Sequence, residues 1–99
     1  MGMTFKRDDG DGTFLDTGEW MLTLGRRDDC DLCLPFDTQI SRLHARLRQT
    51  SDDAWVLEDS GSRNGTYVGK KRIESPAVVE YGVMFRIGRT WLRLENTDR

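Results

Sequence analysis

No window of a dozen residues in this chain repeats apolar side chains at i, i+3, i+4 and i+7, the spacing that lets a helix bury one face. Short runs with alternating, β-branched or aromatic residues recur instead. They fall at Thr13–Asp16, Glu19–Leu24, Asp31–Leu34, Ala45–Gln49, Trp55–Glu58, Thr66–Val68, Val78–Val79, Met84–Ile87 and Thr90–Leu94, each bounded by Gly, Asp, Asn, Ser or Pro. Those residues punctuate a chain because glycine accepts positive φ, proline presets its own, and Asn, Asp and Ser bond to nearby backbone. Strands this short and evenly spaced must share a core, so the chain is expected to be all-β, a sandwich or a small barrel. Side chains alternate across a strand, which sets Trp20, Leu22 and Leu24 together against the core, and likewise Ala45 and Leu47, with Arg46 and Arg48 turned to water. Gly88-Arg89, between the last two runs, fits a two-residue hairpin turn with glycine first, the type II′ signal.

Ninety-nine residues are enough for one modest core. Residues 1–12, polar and glycine-punctuated, read as a flexible lead-in, 13–95 as the folded domain and 96–99 as a tail. A net charge of -2 gives no general attraction to nucleic acid or an anionic membrane, and neither is expected as a partner. Without an apolar run near the roughly 20 residues that span a bilayer, and without the apolar segment of a secretory signal, the expected compartment is the cytoplasm.

Cys30 and Cys33 have the Cys-x-x-Cys spacing of redox and zinc sites. Zinc needs two further ligands, yet His44 is the single histidine and no second cysteine pair exists. Cys30, Leu32 and Leu34 alternate with Asp31 and Cys33 as on a strand, which puts the thiols on opposite faces and favours packed, reduced cysteines. No metal and no cofactor are expected. His44 could be a catalytic base, but no nucleophile or carboxylate stands at a matching spacing, so no enzyme is expected.

Three loops stand out. The first carries Arg26 and Arg27, the second Ser41 and Arg42, the third Ser62, Arg63 and Asn64 before Gly65, which allows a tight turn. A sandwich gathers its loops at its two ends, so these can share a surface. Guanidinium, hydroxyl, amide and loop N–H groups are all donors, a set suited to a phosphate monoester, with a charge of about -1.5 to -2 and three acceptor oxygens. The same residue types are also ordinary solvated loop residues, and Asp28, Asp29 and Asp59 stand near enough in sequence to neutralise them. Arg27 reads as a surface charge facing Asp28 or Asp29.

Order and spacing decide between these. Gly25-Arg26, then Ser41-Arg42-Leu43-His44-Ala45, then Ser62-Arg63-Asn64-Gly65-Thr66-Tyr67-Val68 resembles the forkhead-associated (FHA) domain family over about residues 19–95. The resemblance implies a sandwich of two twisted antiparallel sheets, usually counted as eleven strands, that binds phosphothreonine peptides through loops at one end. Carried over residue by residue, it implies that Arg26 clamps the phosphate and Ser41 donates its hydroxyl to it. Arg42 and Arg63 could add charge, and Asn64 would hold the peptide main chain. Gly25, His44, Gly65 and Thr66 would support the site, His44 by bracing the loops. Arg63 departs from the Ser or Thr common there, and Gly69 from a frequent asparagine. The partner implied is a phosphothreonine-containing protein or peptide, the substrate of a Ser/Thr kinase, preferred over phosphoserine because the methyl group fits a small pocket. The competing expectation is a phosphate-independent scaffold or oligomerisation domain using Trp55, Trp91 and Phe36. Oligomeric state is left open.

Overall fold

The computed structural model describes residues 2–6, 12–16, 21–50 and 54–94, and folds them into eleven strands with no helix among the described residues. The strands are β1 (Gly2–Lys6), β2 (Gly12–Asp16), β3 (Met21–Gly25), β4 (Leu32–Cys33), β5 (Ala45–Gln49), β6 (Trp55–Asp59), β7 (Thr66–Val68), β8 (Lys71–Arg72), β9 (Ala77–Val79), β10 (Met84–Ile87) and β11 (Thr90–Leu94). One sheet runs β2-β1-β11-β10-β7-β8 and the other β4-β3-β5-β6-β9. This is the expected all-β sandwich.

Alternation builds the core. Register pairs Leu22 with Leu47 and Leu47 with Leu57, a row of leucines across β3, β5 and β6, all almost wholly buried. From the other sheet Phe85, Ile87, Leu92 and Leu94 enter the same cluster, with Phe85 opposite Leu92. Complete burial of such side chains contributes about 1.5–3 kcal/mol each, which is what holds two sheets of very short strands together. Ala45 and Leu47 lie inside while Arg46 is exposed and Arg48 half-buried, as alternation requires. Trp20 lies outside the described residues. Trp55 is buried in the core, so it supplies no exposed face for a scaffold, whereas Phe36 is half exposed.

Four features differ from the sequence reading. A strand, β1, lies inside the segment read as a flexible lead-in: it pairs with β2 on one side and β11 on the other. Met3-Thr4-Phe5 is too short a run to stand out against its polar neighbours, and it becomes a strand through pairing with β2 and, from the far end of the chain, β11. A second unexpected strand, β8, consists of two exposed basic residues with no alternation to betray them. It is held by the hairpin at Gly69-Lys70, where Gly69 takes φ 60° and Val68 faces Lys71.

The third difference is direction. β4 is only two residues long and pairs parallel to β3, with Leu24 beside Leu32 and Gly25 beside Cys33, so this sheet is not wholly antiparallel. The return is tied by Thr23, whose N–H donates to Asp31 Oδ2 at 2.8 Å while the Asp31 N–H donates to Thr23 Oγ1 at 3.0 Å. Fourth, several boundaries shift by a residue or two, as where β6 runs on to Asp59. At the β10–β11 turn Gly88 takes φ 59°, the positive value expected of a first-position glycine.

Candidate functional site

β3 ends at Gly25, and the way the chain leaves it sets the first loop against the second. Arg26 N–H donates to Ser41 O at 3.1 Å and Arg27 N–H to Arg42 O at 3.2 Å. Gly25 permits this approach because a Cβ there would overlap the Arg42 carbonyl. Overpacking against backbone that cannot move cheaply costs about 1–3 kcal/mol. Gly25→Ala is therefore expected to lower stability by about 2–3 kcal/mol in urea unfolding. A change of under about 0.5 kcal/mol would show that the two loops part freely.

The Arg26 guanidinium is then fixed by its own Nε, which donates to Ile40 O at 2.5 Å. Its two terminal nitrogens are left for a further acceptor. Ser41 Oγ accepts from the Arg63 N–H at 3.0 Å, so its hydroxyl proton is free to be donated outward. Asn64 Nδ2 donates to Gln39 O at 2.8 Å, which leaves the Asn64 side-chain oxygen as an acceptor. Arg26, Ser41, Arg42, Arg63 and Asn64, with Thr38, Gln39 and Ile40, line one open depression of about 230 Å3. No carboxylate is among its lining residues. Arg27 is not among them: it pairs with Asp29 at 2.8 Å, as its surface reading anticipates, and lines a neighbouring depression with Arg26 and Arg42.

His44 sits behind this depression, fully buried, with both ring nitrogens engaged. Its Nδ1 accepts from the Ser41 N–H at 3.0 Å and its Nε2 meets Gly65 O at 2.8 Å. A carbonyl can only accept and the Ser41 amide can only donate, so the ring is the neutral tautomer with its proton on Nε2. Burial pushes the imidazole below its usual range, against the opposite pull of the Gly65 carbonyl and of Asp59 and Asp37. His44 thus fastens the second loop to the third. Gly65 takes φ 88° and packs over Arg72, whose Nε a Cβ would meet at 2.6 Å.

The third loop is shaped by Asp59. Its Oδ2 accepts from the N–H groups of Gly61 and Ser62, both at 3.0 Å, and its Oδ1 from the hydroxyls of Ser62 at 2.5 Å and Thr66 at 2.6 Å. Burial alone would raise this carboxyl, but those four donors outweigh it and hold it below its ordinary range. Thr66, fully buried at the start of β7, holds this carboxylate through that bond. Asp59 therefore does not neutralise the loop arginines, the role its place in the sequence first suggests. Its Asp-Ser-Gly-Ser order was the available signal, since Asp and Ser at such spacing bond their own backbone.

Asp37 is the second organiser that sequence reasoning missed. It is buried, its Oδ1 accepting from the Gln39 N–H at 2.9 Å and its Oδ2 from the Arg89 N–H and Thr90 hydroxyl, each at 2.7 Å. This ties the second loop to the β10–β11 hairpin, where a Cβ on Gly88 would strike Ile40 Cγ1 at 2.6 Å. Of the cysteines, Cys30 Sγ reaches Arg42 O at 3.4 Å and Cys33 Sγ reaches Arg26 O at 3.6 Å, so the two free thiols serve separate carbonyls. Burial pushes the Cys30 thiol up, with Asp29 adding to it. Among the described residues no three His, Cys, Asp or Glu side chains gather as a metal set, and no helix is long and apolar enough to cross a membrane.

Fold and site together define a two-sheet β-sandwich that presents a donor-rich depression on loops at one end. The chain belongs to the FHA domain family, whose sequence model matches residues 22–88. It is 37% identical over 83 residues to the FHA domain-containing protein FhaB of Mycolicibacterium smegmatis, an alignment covering 84% of this chain and 52% of that protein. The chain spans about half the length of the FhaB relatives it matches. A solved chain from a structural and functional study of phosphothreonine-dependent FHA domain interactions superposes with TM-score 0.84 at 27% identity, covering 100% of both chains. The FhaA FHA domain complexed with the intracellular domain of Rv3910 gives 0.80 at 29% identity, covering 94% of this chain and 99% of that one.

Proposed function

We propose that this chain binds phosphothreonine-containing segments of partner proteins, and acts by binding rather than by turnover. The observation that carries this is the convergence of Arg26, Ser41, Arg42, Arg63 and Asn64 on one depression with no carboxylate in its lining. Arg26 and Ser41 supply the central phosphate contacts. Arg42 and Arg63 add charge at the rim, and Asn64 takes the peptide main chain through its free oxygen. That a neighbour at TM-score 0.84 comes from work on phosphothreonine-dependent interactions supports the reading. The partner is then the product of a Ser/Thr kinase.

Charge-assisted hydrogen bonds contribute about 1.5–3 kcal/mol each, and ordering a flexible peptide costs several kcal/mol, so micromolar dissociation constants are expected. Titrating 15N-labelled protein with matched phosphothreonine, phosphoserine and unphosphorylated peptides tests this. Only phosphothreonine is expected to shift the amides of Arg26, Ser41 and Asn64 strongly. Equal binding of all three peptides, or of none, rejects the reading.

A further inference from the structure

The sandwich is open along one side. β8 is the last strand of one sheet and β9 the last of the other, so among the described residues neither has a partner on its outer edge. Between them lies a depression of about 380 Å3 whose lining includes Val68, Lys71, Arg72, Ile73, Glu74 and Ala77. Its floor is apolar: Val68 and Ile73 are half-buried and pack against the core cluster, and Ala77 is half-buried opposite the fully buried Leu57. None of these residues lines the phosphate depression.

The rim carries the opposite chemistry. Lys70, Lys71 and Arg72 are consecutive and exposed, and among the described residues none of them is in an ion pair. Glu74 is the single acid in the lining, so the rim is net positive in a chain of net charge -2. Lysines on an edge strand keep neutral strands of other molecules away. Against an acidic strand the same charges attract. The edge also offers backbone. Ile73 N–H donates to Thr66 O at 2.9 Å, which makes that pair a hydrogen-bonded one, and bonded and non-bonded pairs alternate along an antiparallel ladder. Arg72, paired with Tyr67, is therefore a position whose N–H and C=O point away from β7, toward the open side.

We propose that this edge docks an extended acidic segment of a partner protein. The segment adds a strand beside β8 by pairing with the Arg72 backbone, sets its acidic side chains against Lys70, Lys71 and Arg72, and buries one apolar side chain over Val68, Ile73 and Ala77. Strand addition of this kind draws affinity from main-chain bonds and selectivity from pockets that take alternate side chains. The contact needs no phosphate, so it stands apart from the phosphothreonine site. A partner carrying both features is held at two places, each raising the occupancy of the other.

The test titrates the 15N-labelled chain with a capped Glu-Val-Glu-Val-Glu peptide and with its Lys-Val-Lys-Val-Lys counterpart. The acidic peptide is expected to shift the amides of Val68, Lys71, Arg72, Ile73 and Ala77, leaving Arg26 and Ser41 in place, with a dissociation constant of about 0.1–1 mM. The basic peptide should bind at least about tenfold more weakly, and Lys70→Glu with Lys71→Glu should reverse that order. N-methylation of the acidic peptide at alternate residues, made in both registers, removes the main-chain donors on one side at a time. One register should abolish binding, and this arm needs no variant of the protein.

No shift along β8 up to about 5 mM acidic peptide overturns the inference, as does equal binding of the acidic and basic peptides. Binding that survives both N-methylated peptides overturns strand addition. Shifts at Arg26 and Ser41 in place of β8 also overturn it, because the acids would then be occupying the phosphate depression. Phosphothreonine binding is read separately in the same samples, at Arg26 and Ser41, so loss of either reading leaves the other standing.

Discussion

Arg26→Ala is expected to take phosphothreonine binding from micromolar to beyond detection, at least about a hundredfold, with little loss of stability. One or two charge-assisted bonds from its terminal nitrogens account for the size of the effect, at about 1.5–3 kcal/mol each. The geometry accounts for the separation from stability: the Arg26 side chain is exposed, and its one structural bond is from Nε to Ile40 O. The bonds that join the first two loops come from the backbone of Arg26 and Arg27 and survive the substitution. Arg26→Lys should lose most of the affinity too, because an ammonium cannot hold Ile40 O and face a phosphate with two further donors at once. Calorimetric titration of both variants, with thermal melts beside it, is the check. Arg26→Ala binding within about twofold of wild type would reject the phosphate role, and a melting point lowered by more than about 8 °C would show the residue to be structural.

The side chains expected to face a ligand could be read from the sequence because their positions depend on local turns. Arg26 follows the last residue of β3, and Asn64 precedes the positive-φ Gly65, so quoting the motif is nearly enough to place them. What supports them could not be read in the same way. Asp37 meets Arg89 and Thr90 across 52 and 53 residues, and no local pattern announces a pairing of that range. Gly88 was legible as a hairpin turn, but its second role, leaving room for Ile40 beneath the second loop, depends on how the two sheets stack. The short strands show the same division. β10 and β11 declare themselves by alternation, while β1 and β8 are strands only because a neighbour pairs with them. Trp55 opens a short strand next to polar residues, a place that suits a surface aromatic as well as a core one, and its burial follows from the register that sets it opposite Gln49 and Val79.

The other large effect is expected at His44. Removing the ring in His44→Ala opens a cavity and leaves the Ser41 N–H and Gly65 O without their partner, each a buried polar group. An unsatisfied buried group costs about 1–3 kcal/mol, and the cavity adds to this, so a loss of about 3–5 kcal/mol is expected. In a domain this small that lowers the melting point by about 15 °C or more.

The wild-type ring also makes a signed prediction. Because its folded pKa is lowered, the unfolded chain takes up the proton first, near pH 6.5, and stability rises with pH where the unfolded state binds more protons. Stability without ligand should therefore be full above about pH 6.5 and decline as pH falls below it. His44 is the single histidine, so the decline has one side-chain source until the carboxylates titrate. Asp59 then acts at lower pH in the same direction: its folded pKa is depressed, so its contribution is present above the unfolded value and lost as pH falls through the folded one.

Peptide affinity should also fall below about pH 6, but for a different reason, since the phosphate then loses its second charge. The two are separable by experiment. Urea midpoints without peptide follow His44, and a phosphothreonine analogue with a more acidic second ionisation should move the affinity curve to lower pH while leaving those midpoints where they were. Urea midpoints that stay constant from pH 8 to 5 would mean that His44 is not held neutral between Ser41 and Gly65, and the bracing of the two loops would need another explanation.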